Sequence, residues 1–354
     1  MSISILDQEE FWSPIDTKSM RHLLETLPDQ VATAGAMVRG LSVPLQQPVE
    51  NIVVTGMGGS AIGGDIARAA VLRILKVPLI INRDYELPAF VAERTLLIAS
   101  SYSGNTEETI AAYGQARQSR ASIICVTSGG TLARLAVEDG LPLLRVPGGM
   151  PPRAAVGFST LLILGVLQGA GLIPDITADL DETEGLLADL CRRCGPQVRL
   201  PDNPAKAVAS SLHGRLIAVY GSSPMLEVAA YRWRGQIEEN AKTLAFHHAL
   251  PEMNHNELVG WKLPADVLRQ IAVVFLRDPR DHPQVKRRFD LTREIVDGKC
   301  GRSLEVWATG TSPLARLFST ICLGDFVSLY LAFLNKVDPT PVAVIDDMKR
   351  RLTS

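Results

Sequence analysis

The sequence predicts an α/β protein made of two similar units, each a parallel β-sheet flanked by helices. Short and nearly continuous apolar runs alternate with helical patterns along the chain, which is typical of strands buried on both faces of a parallel sheet. The order of strand, glycine-containing turn and helix begins twice, near residues 51 and 215. The chain has 354 residues, which is enough for about two domains.

The first half is predicted to begin with an amphipathic helix over 18–39. A β-branched run at 51–55 predicts a strand, and the small residues from Ser60 to Leu75 predict the helix that follows it. The other elements expected in this half are strands at 78–82, 95–100, 122–127 and 141–146 and helices at 105–119 and 131–138.

The second half repeats this order, with a strand over 215–223, a Gly-Ser turn and a helix over 226–238. The stretch 173–206 is punctuated by Asp and Pro around a charged helix and is the best linker candidate. We therefore expect domains over 18–172 and 207–354. The remaining elements expected are strands near 270–276 and 304–308 and long helices at 282–297 and 313–334.

The composition is that of a globular chain of balanced charge. There are 36 Lys and Arg and 38 Asp and Glu, a formal charge of −2, which argues against a nucleic-acid binder. The longest apolar run identified, 156–167, is shorter than the ~20 residues of a membrane helix. An acidic N-terminus without an export signal and five cysteines without a disulfide pattern indicate a cytoplasmic protein with no membrane partner.

A glycine loop at 56–65 (GMGGSAIGGD) joins the first strand to a helix. Glycines let the backbone approach a ligand closely, and the free N–H groups at a helix start attract anions. The loop also contains Gly56-x-Gly58-x-x-Ala61, a permissible dinucleotide motif, with Asp84 as a candidate ribose acceptor. A tight turn without any ligand is the third interpretation.

A second loop at 100–109 (SSYSGNTEET) follows the third apolar run and again opens a helix. A helix cap uses one hydroxyl or amide, and Asn105 or Ser103 is expected to supply it. The additional hydroxyls, in a loop without Lys or Arg, suit a single phosphate monoester that must be released readily. The hydroxyl residues of this loop are Ser100, Ser101, Ser103 and Thr106.

Acid, base and amide side chains are concentrated in 236–242 (QIEENAK) and 251–257 (PEMNHNE). Pro251 prevents one helix from running through both segments, so Glu239 and His255 belong to different elements. Glu238 and Glu239 could instead form a solvated helix end, and 254–257 could be a capping sequence alone. For His247 and His248 we favour the alternative that they are a partly buried interface pair. Arg153, in 148–157 (GGMPPRAAVG), starts an apolar helix and needs an anionic partner or a structural salt bridge.

The two loops together resemble those of sugar isomerase (SIS) domains, which bind phosphosugars. With the PRAAxG, ENAK and NHNE segments, five motifs stand in the order that resembles the bifunctional phosphoglucose/phosphomannose isomerase family. The resemblance covers the chain from about residue 18 to its end. It implies an α/β fold of two SIS-type three-layer α/β/α domains, each a parallel sheet flanked by helices.

The resemblance implies a role for each matching residue. Glu239 is the catalytic base, His255 serves ring opening from the neighbouring subunit of a homodimer, and Arg153 lies beside the reacting carbons. Lys349 matches the lysine near the C-terminus that completes the family's site, with a basic helix end as its alternative role. The matches to the substrate's phosphate contacts are Gly59, Ser60, Ser101, Ser103 and Thr106.

The implied reaction interconverts hexose 6-phosphates through an enediolate and requires no metal or other cofactor. Cys191 and Cys194 form only half a zinc site and are expected to be a structural thiol pair on a helix. Three rivals remain: a non-catalytic sugar-phosphate sensor, a nicotinamide-dependent dehydrogenase, and an aminosugar synthase. The last needs an N-terminal nucleophilic cysteine, and the sequence begins Met1-Ser2 instead.

Overall fold

The computed structural model describes residues 4–45 and 47–352. Met1 and Ser2, which bear on the synthase alternative, lie outside the described residues. The described chain forms two compact units. The first-sheet unit comprises Thr26–Gly185 and Thr311–Ala315. The second-sheet unit comprises the described residues up to Glu25, Leu186–Gly310 and the described residues from Arg316 onward.

The strands within the described residues form two parallel sheets, with orders β2-β1-β3-β4-β5 and β7-β6-β8-β9. The predicted α/β fold with two parallel sheets flanked by helices is therefore confirmed. The strands are β1 (Asn51–Thr55), β2 (Leu79–Asn82), β3 (Thr95–Ser100), β4 (Ser122–Thr127), β5 (Leu143–Arg145), β6 (Leu216–Ser222), β7 (Ala245–Leu250), β8 (Ile271–Arg277) and β9 (Arg302–Trp307).

The helices flank these sheets or extend from them. Short 3-10 helices at Pro152–Ala154 and Glu252–His255 each carry a predicted site residue. The α-helices are α1 (Glu9–Trp12), α2 (Met20–Glu25), α3 (Leu27–Val38), α4 (Gly58–Val71), α5 (Glu107–Gln118), α6 (Gly130–Glu138), α7 (Val156–Gly169), α8 (Thr177–Cys194), α9 (Pro204–Leu212), α10 (Met225–Ala241), α11 (Glu257–Gly260), α12 (Ala265–Leu268), α13 (Pro283–Asp297), α14 (Pro313–Leu334) and α15 (Ala343–Leu352).

In the first-sheet unit, alternate residues of the central strands point to opposite faces of the sheet. Val53 and Leu97 pack with Tyr113 of α5 and Leu132 of α6 on one face. On the other face, Val54 packs closely against Gly64 of α4, and a Cβ added to Gly64 would not fit unless a neighbouring side chain moved. Both faces are covered, which explains why the strands of this sheet appear as continuous apolar runs.

In the second-sheet unit, Tyr220 and Phe275 on neighbouring strands pack against Phe289 of α13. α10 packs against β6 and β7. Its Trp233 donates a hydrogen bond from Nε1 to the carbonyl of Thr320 on α14 at 2.8 Å. This contact with α14 helps to hold α10, the helix that carries Glu239, in place.

The helix predicted over 18–39 is wrong as a single element. The structure has α2 and α3 instead, and Pro28 lies in the first turn of α3. Proline has no N–H to donate to a preceding turn, so it can begin a helix but does not continue one. Asp16 caps α2 by accepting hydrogen bonds from the N–H groups of Met20 and Arg21.

Strand β7 was not among the predicted elements. It lies at the edge of the second sheet, and its residues range from buried to exposed, with Phe246 50% exposed. His247 and His248 lie in its middle, so its sequence has neither the continuous apolar run of a buried strand nor a clean alternation.

Among the described residues the longest apolar helix is α14, not the run at 156–167 as expected. By length and composition α14 could cross a membrane, but 89% of its most apolar window is buried, as in a core helix. It also contains Arg316 and Asp325, which pair with Asp278 and Arg232 respectively. Buried charges with such partners are typical of a packed interior.

Candidate functional site

The two candidate phosphate loops follow β1 and β3, which are neighbours in the first sheet. The strand order 2-1-3-4-5 reverses direction between these two strands. In open α/β sheets, ligands bind at the carboxyl ends of the strands where the order reverses. The loops predicted from their glycines and hydroxyls therefore lie together at the position where this class of fold binds ligands.

The first loop fits tightly against its surroundings. A Cβ on Gly56 would lie 2.7 Å from the carbonyl oxygen of Ser100, so the two loops are in direct contact. Gly58 has φ +48°, a conformation that glycine adopts without strain. Ser60 is 5% exposed, and its hydroxyl accepts a hydrogen bond from the N–H of Tyr102 at 3.1 Å.

The second loop brings its hydroxyls together at the start of α5. The Ser101 and Thr106 hydroxyls are 2.8 Å apart, and the N–H of Gly104 donates to Ser101 Oγ at 3.1 Å. Thr106 is the N-cap residue of α5, but its side chain accepts no capping hydrogen bond. Ser103, on the same loop, is exposed.

The expectation that Asn105 or Ser103 caps α5 is wrong. The Asn105 side chain accepts a hydrogen bond from the N–H of Thr131, and Ser103 Oγ accepts one from the N–H of Asn105. Both side chains therefore hold the loop itself. Ser101 and Thr106 face each other rather than the helix backbone, which is an arrangement suited to an anion at this helix start.

Tyr102 is a residue to which the sequence assigned no role. Its hydroxyl donates to the carbonyl of Pro147 at 2.9 Å and accepts from the N–H of Met150 at 3.0 Å. Burial raises the pKa of this phenol. Tyr102 therefore links the second loop to the segment that leads to Arg153. Its two partners are more than 40 residues away in the sequence, so no local pattern indicates this link.

Arg153 lies in the 3-10 helix Pro152–Ala154 and is 5% exposed. This turn packs closely on the start of α4. A Cβ added to Gly59 would lie 2.5 Å from the carbonyl oxygen of Pro152 and 3.0 Å from the N atom of Arg153. A small cavity at this junction is lined by Ser60, Tyr102 and Pro152 among others. The structure thus brings Arg153 next to the first loop.

Glu239 is half-buried near the C-terminus of α10 in the second-sheet unit. One face of this helix is fixed by buried polar contacts to α14. The Arg232 guanidinium pairs with Asp325 at 2.7 Å, and Gln236 Nε2 donates to the same carboxylate at 3.0 Å. Asn240 Nδ2 donates to Ser328 Oγ at 2.9 Å. These contacts fix the rotation of α10 about its axis.

The adjacent Glu238 has a different environment. Its carboxylate lies 3.6 Å from Nε of Arg234 on the same helix. Burial raises its pKa, while the nearby Arg234 acts in the opposite sense. Glu238 therefore has a structural partner on its own helix and is half-buried rather than fully solvated.

His255 is exposed, between residues that are held in place. Asn254 donates to Thr292 Oγ1 at 2.8 Å, and Asn256 accepts from the N–H of Glu257, capping α11. The Glu257 carboxylate accepts hydrogen bonds from Tyr220 and Trp261. Part of the 254–257 segment is thus a cap, and this cap presents His255 to the surface.

Lys349 lies on α15, where it is exposed. Arg350 and Arg351 on the same helix both pair with Asp347. Glu239, His255 and Lys349 therefore lie on three separate elements of the second-sheet unit.

Cys191 and Cys194 are buried, free thiols on α8, and burial raises the pKa of Cys194 to about 12. Cys191 Sγ is 3.9 Å from Cys322 Sγ. Among residues 4–45 and 47–352, no cluster of three or more His, Cys, Asp or Glu that could hold a metal is found. Asp84, the candidate ribose acceptor, accepts a hydrogen bond from the N–H of Tyr85 in its own turn.

Comparison with known proteins shows the family of this chain. Residues 47–139 match the SIS domain family model, and residues 201–352 match the bacterial phospho-glucose isomerase C-terminal SIS domain. A bifunctional phosphoglucose/phosphomannose isomerase of Caldicellulosiruptor bescii is 43% identical over 92% of this chain and 96% of its own length. The chain belongs to the bifunctional phosphoglucose/phosphomannose isomerase family.

Other members of the bifunctional phosphoglucose/phosphomannose isomerase family match over similar lengths. The protein of that name from Thermoplasma acidophilum is 36% identical over 93% of this chain and 96% of its own. A glucose-6-phosphate isomerase like protein from Thermus thermophilus shares the fold, with a TM-score of 0.63, 21% identity and coverage of 98% and 100% of the two chains. The resemblance, the SIS-type fold and the expectation of an isomerase are confirmed.

Proposed function

We propose that this chain interconverts glucose 6-phosphate, and also mannose 6-phosphate, with fructose 6-phosphate. Membership of the isomerase family supports the reaction class. The observation that carries the proposal is that the glycine loop after β1 and the hydroxyl loop after β3 lie side by side, where the strand order reverses. A single phosphate monoester, with its three terminal acceptor oxygens, fits this group of hydroxyls and N–H donors.

The phosphate does not react, so its role is to supply binding energy that orients the reacting end of the sugar. In this proposal Ser60, Ser101 and Thr106 donate to it through their hydroxyls, and Gly59 and Ser103 contribute through the two loops. Hydroxyls and N–H groups, rather than a cluster of Lys and Arg, allow the product to leave at a useful rate.

The chemical step moves a proton between C2 and C1 of the open-chain sugar. The Glu239 carboxylate takes the proton from C2 of the aldose, which gives an enediolate, and returns it to C1. The proton of the C2 hydroxyl passes to the C1 oxygen, so the C2 oxygen becomes the ketone carbonyl and C1 carries the hydroxyl. A carboxylate is a weak base for such a proton. Positioned general-base catalysis contributes roughly 10²–10⁴-fold, so the geometry of Glu239 is essential.

Arg153 is proposed to stabilise the negative oxygen of the enediolate. A guanidinium keeps its proton at all ordinary pH values, so it offers hydrogen bonds without quenching the intermediate. Loss of one preorganised donor to an oxyanion costs about 2.7–4 kcal/mol in comparable sites. The packing of the Arg153 turn on the start of α4 supports its preorganisation.

His255 is proposed to open the sugar ring by moving a proton between the ring oxygen and the C1 hydroxyl, which suits an imidazole because its ring nitrogens can both accept and donate a proton. Its exposure supports a role in the active site of a second subunit, and we propose a homodimer with shared sites. Lys349 is proposed to complete the site. Domains over 18–172 and 207–354 and a cytoplasmic location are retained as proposals.

Glucose 6-phosphate and mannose 6-phosphate differ only at C2. If the enediolate rotates about the C2–C3 bond, one base serves both epimers. Because the planar intermediate has lost the configuration at C2, dual activity requires no second base.

The test is a coupled assay for fructose 6-phosphate, started with each of the two aldose 6-phosphates in the presence of EDTA. The proposal predicts turnover of both. Saturable binding of the sugar phosphates without turnover would support the sensor alternative. Reduction of NAD without an isomerised product would support the dehydrogenase alternative.

A further inference from the structure

Lys242 ends α10 in a left-handed conformation, with φ +54°. Glycine is the usual residue at such a helix end because a Cβ is strained there. The N–H of Lys242 donates to the carbonyl of Ile237, which closes the helix. A lysine in place of glycine suggests that its side chain has a function that offsets the strain.

The ammonium group of Lys242 turns back along the helix. Nζ donates to the carbonyl of Glu239 and to the carbonyl of Pro339, the second at 3.3 Å. The last carbonyls of a helix lack partners within the helix, and a cation at this end also opposes the negative end of the helix dipole. Lys242 thus caps the peptide group of the proposed base itself.

Asn335 also holds this turn. Its Nδ2 donates to the carbonyl of Ala241 and to Thr243 Oγ1, both at 2.9 Å. The segment 335–340 is in turn held by Asp338, which accepts hydrogen bonds from the N–H of Thr340 and from the hydroxyl of Thr17. The end of α10 is therefore fastened to the segment that leads into α15, the helix that carries Lys349.

We infer that Lys242 is a positioning residue for Glu239, which holds the last turn of α10 and the segment before α15 in one arrangement. The inference rests on the proposed role of Glu239 as the base. Lys242 does not need to touch the substrate. Its effect arises because a displacement of about 1 Å at a catalytic group costs up to roughly 100-fold in rate.

The test compares Lys242→Gly with native enzyme. Glycine keeps the left-handed turn without strain, so this variant removes the ammonium group and leaves the backbone conformation favoured. We expect kcat to fall about 10- to 100-fold, while KM stays within about twofold and the melting temperature does not fall. Lys242→Arg, which retains a long cationic donor, should recover most of the lost kcat.

A matched control is Arg120→Gly. Arg120 is also a basic residue in the left-handed conformation after a helix, φ +59°, and its ion pair with Glu93 is exposed. This variant should keep native kcat and KM.

Two results overturn the inference and leave the proposed function intact. The first is a native kcat in Lys242→Gly while Glu239→Gln is inactive. The second is a fall in the melting temperature of Lys242→Gly that accounts for its lost activity and that Lys242→Arg does not reverse. Failure of the native enzyme to isomerise hexose 6-phosphates would instead overturn the proposed function, and with it the role of Lys242.

Discussion

The hydroxyl groups of Ser101 and Thr106 lie 2.8 Å apart at the start of α5. Ser101 also accepts a hydrogen bond from the N–H of Gly104, so the loop is closed by its own polar groups. Thr106 occupies the N-cap position without capping the helix through its side chain. The loop therefore keeps its shape while its hydroxyls remain able to turn toward an anion.

Replacing Ser101 by Ala should weaken substrate binding. The variant loses one proposed donor to a dianionic phosphate, and a hydrogen bond to a charged group is worth about 1.5–3 kcal/mol, so KM should rise roughly 10- to 100-fold. Steady-state kinetics with glucose 6-phosphate measure this. Ser119→Ala, at the other end of α5, removes a hydroxyl that donates to the Ala116 carbonyl, and is the control. An unchanged KM in Ser101→Ala would contradict this role.

Gly59→Ala should disturb the junction between the first loop and Arg153. The added Cβ would lie 2.5 Å from the carbonyl oxygen of Pro152, so one of the two segments must move. We expect a destabilisation of about 1–3 kcal/mol together with a loss of activity, measured by urea unfolding and kinetics. Gly114→Ala, on α5 with open space around it, should be neutral or stabilising. Native behaviour of Gly59→Ala would show that this packing is not required.

Subunit mixing tests the proposed homodimer, and whether His255 acts in the site of the neighbouring subunit. Glu239→Gln and His255→Ala are each expected to be inactive as homodimers. A purified heterodimer of the two contains one site with both residues intact, and it should show about half of native activity because a two-fold dimer has two equivalent sites. An inactive heterodimer would mean that Glu239 and His255 of the same subunit work together.

His247 should make the protein less stable below neutral pH. Burial, and secondarily the nearby Arg234, lower its pKa in the folded state. The unfolded chain takes up the proton at about pH 6.5. Since the unfolded state binds more protons below that value, stability rises with pH through this range and falls as the pH is lowered.

Urea unfolding of native protein and His247→Asn between about pH 7.5 and 5.5 gives the free energy of unfolding at each pH. The slope of this free energy against pH measures the effect of His247. The substitution also removes the stacking of His247 on Tyr231, with ring centroids 5.1 Å apart, so slopes rather than absolute stabilities are compared. The variant should lose less stability than native protein on acidification. Equal slopes would show that a group other than His247 causes the loss of stability on acidification.

Much of the fold could be predicted from the sequence because its buried strands are continuous apolar runs. β1, β3 and β4 were predicted with the bounds that the structure has. β7 was missed because an edge strand is only partly buried, and its polar centre hides the pattern. The division of 18–39 into α2 and α3 depends on Pro28, which favours the first turn of a helix over its interior.

The candidate site could be predicted in part for a similar reason. Loops after neighbouring parallel strands share one edge of the sheet, so the two loops that the resemblance assigned to one phosphate lie near each other in the fold. The links made by Tyr102 to Pro147 and Met150 join segments more than 40 residues apart, and no local pattern indicates them. The same is true of Lys242 and Pro339, which meet only when the chain has folded.

The most direct test of the proposed reaction is the kinetics of Glu239→Gln on glucose 6-phosphate, with sugar-phosphate binding measured separately by calorimetry. Glu238→Gln is the matched control, because it removes the neighbouring carboxylate on the same helix turn. We predict that Glu239→Gln binds the sugar phosphate with near-native affinity and loses roughly 10²–10⁴-fold or more in kcat, while Glu238→Gln stays active. Activity of Glu239→Gln within about tenfold of native would contradict the assignment of this carboxylate as the base.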